Sequence, residues 1–227
     1  MTQLVILDFD GTLADTQPLI VSTIHRTLAE LHLPSRTDDE CRSIIGLPLR
    51  ECFIKLLGLD PSPLQGTALS GGNDSDIAEL CADTYRRIFD EDNHPGVVTL
   101  FPHVLETLET LHDRGFQMAI CSSRGRPTLD GFVSTFHLEA YFSMVVGASD
   151  VQHHKPHPEP VQVILRQLNV PAGNALMVGD ASYDILMGRN AGCRTCGVTY
   201  GNQSAADLRA AGADFLIDDF ADLMNVI

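Results

Sequence analysis

Leu4-Val5-Ile6-Leu7-Asp8-Phe9-Asp10-Gly11-Thr12-Leu13 is the stretch on which the fold turns. Four apolar residues run without alternation into an aspartate, as expected of a strand buried on both faces of a parallel sheet. A second aspartate follows two positions later, and then Gly-Thr. Open α/β sheets keep their chemistry at the carboxyl ends of the strands, which is where these two acids fall. In an extended chain residues i and i+2 share a face, so Asp8 and Asp10 address one small volume. Two carboxylates there repel each other unless a cation or a proton lies between them.

Outward from that strand, the chain reads as a helical stretch followed by a long alternation. Apolar residues at 20, 21, 24, 28 and 31 follow a helical period, with Pro18 in the first turn. Thr37-Asp38-Asp39-Glu40 has the form of a capping box opening a second helix. Leu49 to Leu57 reads as a third helix ending at Gly58, and residues 60–75, rich in Pro, Ser and Gly, as a loop. Asp76 to Asp90 is expected as a helix with Ile77, Leu80, Cys81, Tyr85, Ile88 and Phe89 on one face. From about residue 100 strands alternate with helices: strands at 116–121, 144–146, 175–178, 193–198 and 213–217, helices at 103–114, 126–137, 159–169, 182–191, 204–211 and 219–226. The expected fold class is therefore α/β. A Rossmann-like parallel sheet lies between helices, with an inserted α-helical domain. The boundaries read as a core of 1–14 and 93–227 around an insertion at 15–92.

Composition narrows the function. A formal net charge of −15 argues against a nucleic-acid partner, whose backbone demands basic surface. No apolar run reaches the roughly 20 residues of a transmembrane helix, and the first strand has no basic stretch before it, so neither a membrane span nor a signal peptide is read and the expected compartment is cytoplasmic. The six cysteines are irregularly spaced and read as reduced thiols in the core. Cys193-Arg-Thr-Cys196 has redox spacing, but it lies in a strand and has no second pair. Oligomeric state stays open between a monomer and a weak dimer.

Four strand ends carry polar residues: Asp8 with Asp10, Ser122 with Ser123, Ser149 with Asp150, and Asp180 followed by Asp184. One such residue alone is commonly a helix cap. Several carboxylates converging on one sheet edge exceed what capping needs and form a hard oxygen site suited to Mg²⁺. Lys155 is the second of only two lysines in a chain with 13 arginines, and it stands in the proline-bracketed loop His153-His154-Lys155-Pro156-His157-Pro158. A compact ammonium there fits a phosphate or carboxylate oxygen. Ser122 and Ser123 add phosphate donors. His153, His154 and His157 have the density of a zinc site, but no further ligand is evident nearby. Lys155 and the prolines account for the loop without a metal.

In order and spacing these residues resemble the haloacid dehalogenase superfamily. Asp8-Phe9-Asp10-Gly11-Thr12-Leu13 is similar to its first motif, Ser122 in Ile-Cys-Ser-Ser-Arg to its second, Lys155-Pro156 to its third and Gly179-Asp180-Ala-Ser-Tyr-Asp184 to its fourth. The insertion resembles the small helical cap of the phosphoglycolate phosphatase and β-phosphoglucomutase branch. The resemblance implies a Mg²⁺-dependent phosphatase acting on a small phosphorylated metabolite, with the cap as a lid. Asp8 would be the nucleophile and Asp10 the acid–base. Ser122 and Lys155 would hold the phosphoryl group. Asp8, the Asp10 carbonyl and Asp180 would ligate the metal, with Asp184 ordering its surroundings.

The same comparison marks departures. True dehalogenases lack the second aspartate, so Asp10 points to phosphoryl transfer. A cap lysine forms a Schiff base in phosphonatases, but Lys55, the only lysine of this insertion, lies within the apolar run Phe53-Ile54-Lys55-Leu56-Leu57. Arg50 is a candidate substrate contact, one position off the spacing seen in phosphomutases. Phe101-Pro102-His103-Val104 stands where relatives usually have Pro-Gly-Val, which predicts a stiffer hinge. An inorganic pyrophosphatase and a β-phosphoglucomutase-type phosphotransferase are the alternative enzymes. A non-catalytic member of the fold is disfavoured by the intact acids.

Overall fold

The computed structural model describes residues 2–59 and 74–227. In chain order the elements are β1 (Leu4–Leu7), β2 (Ala14–Asp15), α1 (Gln17–Glu30), α2 (Asp38–Arg42), α3 (Leu49–Leu57), α4 (Asp74–Asp92), β3 (Thr99–Leu100), α5 (Val104–Asp113), β4 (Gln117–Cys121), α6 (Arg126–Thr135), β5 (Met144–Val146), α7 (Glu159–Leu168), β6 (Ala175–Gly179), α8 (Ser182–Asn190), β7 (Arg194–Val198), α9 (Ala205–Ala211) and β8 (Phe215–Ile217). The described chain divides into two compact units, Met1–Asp15 with Thr99–Ile227, and Thr16–Val98. The sequence reading put the second crossing after residue 92. The units part after Val98 because the residues following α4 stay tied to it: Asn93 N–H donates to Phe89 O, His94 N–H to Asp92 O, and Val98 is buried. Of the loop expected at 60–75, residues 60–73 lie outside the described residues, while Asp74 and Ser75 open α4.

The first unit is built on a six-stranded sheet in the order β5-β4-β1-β6-β7-β8, with every neighbouring pair parallel. All four residues of β1 are fully buried, which accounts for their unbroken apolar run. β4 flanks β1 on one side and β6 on the other, in register from Leu4 opposite Gln117 and Ala175. The chain thus winds both ways from β1, and the carboxyl ends of β4, β1 and β6 stand side by side at the switch point. Beneath them Ile6, Ala119, Met177, Val161, Ile164 and Met187 form part of one continuous core. A separate antiparallel ladder pairs Ala14 with Leu100 and Asp15 with Thr99, where the chain leaves this unit and returns to it.

In the helical unit, α2 begins with the expected box: Thr37 Oγ1 accepts the Glu40 N–H at 3.2 Å and Glu40 Oε2 accepts the Thr37 N–H at 2.7 Å. α3 ends at Gly58 in the left-handed conformation, φ +66°. The apolar face of α4 needs a correction. Leu80 is 54% exposed, and the buried stripe runs through Ala78, Cys81, Ala82, Tyr85, Ile88 and Phe89. That stripe keeps the i, i+3, i+4, i+7 spacing, from which residue 80 is rotated away. The last expected helix, 219–226, is a 3₁₀ turn over Phe220–Asn225.

At the expected hinge, His103 is the N-cap of α5 in the left-handed region, φ +61°, a conformation in which glycine is unstrained. Its Nδ1 lies 2.8 Å from Asp219 Oδ2, at the N-cap of the last turn. The pair explains why histidine is tolerated. Hydrogen bonding and charge from Asp219 raise the His103 pKa. The Ala221 N–H, and then His103, lower that of Asp219. A raised histidine stabilises below its ordinary value and loses that contribution as pH rises through the raised one, whereas a lowered carboxylate loses its contribution as pH falls. The pair is therefore at full strength between roughly pH 4 and roughly pH 6.5. The Tm difference between wild type and His103→Gly should be most favourable to wild type near pH 5–6 and shift toward the variant by pH 9. A difference that does not vary with pH would mean that the pair contributes nothing.

Candidate active site

The site is assembled from three strand ends of the first unit and the loop before α7. Asp8 follows β1 directly and is 2% exposed. Past it the chain turns sharply at Gly11, φ +78°, and a Cβ there would lie 2.2 Å from Asp180 Oδ2, so only glycine allows this close approach. Ser122, after β4, is buried, and its Oγ accepts the Arg124 N–H at 3.1 Å. Asp180 follows β6. Asp184 lies in the first turn of α8, where its Oδ2 accepts the Ala181 N–H at 3.1 Å. A Cβ on Gly179 would lie 2.3 Å from Asp184 Cγ, so that glycine makes room for the acid.

Lys155 enters from the loop before α7 and is 3% exposed. Its Nζ lies 2.7 Å from Asp8 Oδ1 and 2.7 Å from Asp184 Oδ1. Both separations are those of close ion pairs between a buried ammonium and buried carboxylates. Burial works against the ammonium, but Asp184 and Asp8 outweigh it and hold the Lys155 pKa above its ordinary value. Burial raises Asp8 well above the usual carboxylate range, opposed by Lys155 and reinforced by Asp184. Burial and the Asp184 charge push Asp180 up to about 7. Three buried carboxylates thus face a single buried ammonium, and ligand oxygens of Asp8, Asp180 and Asp184 all lie within 4.8 Å of one another. The cluster has more negative charge than its own lysine neutralises, and its donors are all hard oxygens. That is the fit expected of a small divalent cation such as Mg²⁺.

Three partners in this region were not read from the sequence. The Arg124 guanidinium grips Asp10 with two nitrogens, Nε to Oδ2 at 3.1 Å and Nη2 to Oδ1 at 2.5 Å, both side chains being about nine-tenths buried. The available signal was an arginine two residues past Ser122, at a strand end, where its planar fork matches a carboxylate. Asn202 donates its backbone N–H at 2.7 Å and its Nδ2 at 2.5 Å to Asp180 Oδ2, fixing one oxygen of that acid. Tyr200 Oη donates to Thr12 O at 2.9 Å and anchors the turn after Asp10. His154 joins Ser122, Ser123 and Lys155 in lining a small crevice at the strand ends.

Asp8, Asp10, Ser122, Lys155, Asp180 and Asp184 therefore all meet at one sheet edge, with Ser123 beside them. Arg50 belongs to the helical unit, where its Nε lies 3.8 Å from Glu79 Oε2.

The profile of the haloacid dehalogenase-like hydrolases matches residues 5–198. The chain is 30% identical over 223 residues to Pyrophosphatase PpaX of Anoxybacillus flavithermus, covering 98% of this chain and 95% of that one. It is 34% identical over 228 residues to Probable phosphatase IndB of Dickeya dadantii, covering 99% and 93%. Among solved structures, a Bacteroides fragilis protein assigned as a haloacid dehalogenase-like hydrolase superposes with a TM-score of 0.87 at 28% identity, covering 98% of this chain and 100% of that one. The fold is also that of CbbY from Rhodobacter sphaeroides, solved with xylulose-(1,5)bisphosphate, at a TM-score of 0.77 and 22% identity, covering 98% and 96%.

Proposed function

Since the chain belongs to the haloacid dehalogenase-like hydrolases and is a phosphatase, we propose that it hydrolyses a small phosphorylated metabolite, a phosphoglycolate-like monoester, through an aspartyl-phosphate on Asp8. The observation that carries this reading is the pairing of buried Asp8 with Lys155 at 2.7 Å beside Asp180 and Asp184. Asp8 would attack phosphorus. Lys155 and Ser122 would hold the phosphoryl oxygens, and Lys155 would keep the Asp8 carboxylate aimed. Asp10 would protonate the leaving oxygen and then take a proton from the hydrolytic water. For that its carboxylate has to loosen from the Arg124 fork, and an arriving phosphoryl anion is the natural competitor for the guanidinium. Asp8, Asp180 and the Asp10 main-chain carbonyl would hold a Mg²⁺ ion, with Asp184 ordering its surroundings. When bound, that ion neutralises charge on the phosphoryl oxygens, which together with in-line positioning is most of what this reaction requires. The helical insertion, with Arg50, is the part assigned to substrate choice. A cytoplasmic setting is supported by six unpaired, buried cysteines; among the described residues no helix is long and apolar enough to cross a membrane.

A second reading, hydrolysis of inorganic pyrophosphate, is favoured by the PpaX relatives, which match 98% of the chain. A phosphate-release screen over phosphoglycolate, pyrophosphate, sugar phosphates and nucleotides separates the two. EDTA should remove the activity and added Mg²⁺ restore it. Turnover that ignores both reagents would exclude the metal from the reaction.

A further inference from the structure

Outside the site described above, the loop that delivers Lys155 closes on itself. Glu159, the first residue of α7, reaches back across it. Its Oε1 accepts the Gln152 N–H at 3.0 Å and its Oε2 accepts the His153 N–H at 3.0 Å. The same Oε2 lies 2.6 Å from His153 Nδ1. The His153 and His157 rings stack with centroids 4.4 Å apart, and His157 Nδ1 accepts the Glu159 N–H at 3.2 Å. One ligand atom from each of His153, His157 and Glu159 lies within 4.8 Å of the other two. Both rings are at the surface and Glu159 is half-buried, so solvent reaches the triad while the carboxylate is already fixed by two backbone donors.

We propose that His153, His157 and Glu159 form a binding site for a zinc-class divalent ion, separate from the carboxylate cluster at the strand ends. Two imidazoles and one carboxylate make a donor set that selects Zn²⁺ and its neighbours over Mg²⁺. Three protein ligands with a water in the fourth position is an ordinary zinc arrangement. Little has to move. As the ion takes its place against His153 Nδ1, the ring stays a neutral imidazole and carries its proton on Nε2 instead, by exchange with solvent. The His157 Nδ1 lone pair turns from the Glu159 N–H to the ion, and that N–H, in the first turn of a helix, is satisfied by water. The buried cysteines do not compete: burial raises the thiols of Cys41, Cys52, Cys81, Cys121, Cys193 and Cys196 to between about 11 and about 12. The ligands bracket Lys155 in the chain, so an ion here ties together the two ends of the loop that carries it.

The test is zinc titration of the full chain in excess Mg²⁺, which keeps the carboxylate cluster supplied. The readouts are competition with a chromophoric chelator and Tm. One tight equivalent of Zn²⁺ is expected, with Tm rising as the site fills. His153→Ala and His157→Ala should each weaken binding by about tenfold or more and remove the Tm shift, with metal-free Tm confirming that both variants fold. His94→Ala, in the helical unit, should bind as wild type does. Substituting Co²⁺ should give the visible absorption of a four-coordinate site. Undiminished binding in both histidine variants, or no binding in the wild type, would overturn the proposal.

Discussion

Replacing Asp8 with asparagine is expected to abolish phosphate release, by about 10⁴-fold or more, while leaving the protein folded. The amide is nearly isosteric, so β1 and the turn at Gly11 keep their packing. What is lost is the only carboxylate that both follows β1 directly and lies 2.7 Å from Lys155. Lys155 keeps Asp184 as a partner, also at 2.7 Å, so the variant does not strand a buried ammonium. A stability change within about 1–2 kcal/mol is therefore expected. Far-UV circular dichroism and denaturant unfolding would establish the fold, and an aryl phosphate would report turnover. Activity within tenfold of wild type would remove Asp8 from the nucleophile's role.

Lys155→Met is expected to damage both stability and activity. Methionine matches the stem of lysine but carries no charge, so Asp8 and Asp184 are left buried with their common partner gone. Breaking a buried pair in this way costs about 3–5 kcal/mol. The sign with pH follows from the remaining acids. Without Lys155 the buried Asp8, already raised by burial, binds its proton more tightly in the folded state than in the unfolded one, so the variant loses stability as pH rises. Denaturant unfolding without added metal should show a gap to wild type that widens between about pH 5 and about pH 8. A gap below about 1 kcal/mol at neutral pH would mean that the ion pairs contribute no more than surface bridges do. Catalysis should fall as well, since the methionine holds no phosphoryl oxygen.

The residues that meet at the sheet edge were legible because a parallel sheet turns chain order into position. Once the strands at 4–7, 117–121 and 175–179 are recognised, the residues that follow each of them share an edge. The partners that hold those residues were not legible for a related reason. Arg124 reaches Asp10 across 114 positions and Asn202 reaches Asp180 across 22, and no local period records such a pairing. Glu159 escaped notice as a companion to the histidines because it reads equally well as an acid in a first helical turn. Leu80 shows the opposite failure, where hydrophobic character was taken for burial although the helical angle places it outside the stripe. β2 and β3 are two residues each, too short for any pattern to declare them.

That small ladder has a consequence for heredity. Ala14 pairs with Leu100 and Asp15 with Thr99, so the departing and returning chains are already stitched together on the α/β side, roughly 5 Å apart. Everything between them is a cassette with adjacent ends. Recombination at this seam could exchange one insert for another, of different length or ancestry, without reopening β1 or moving an acid at the strand ends. A lineage built this way can change its insertion by transplantation while passing on the sheet and its strand-end acids unaltered.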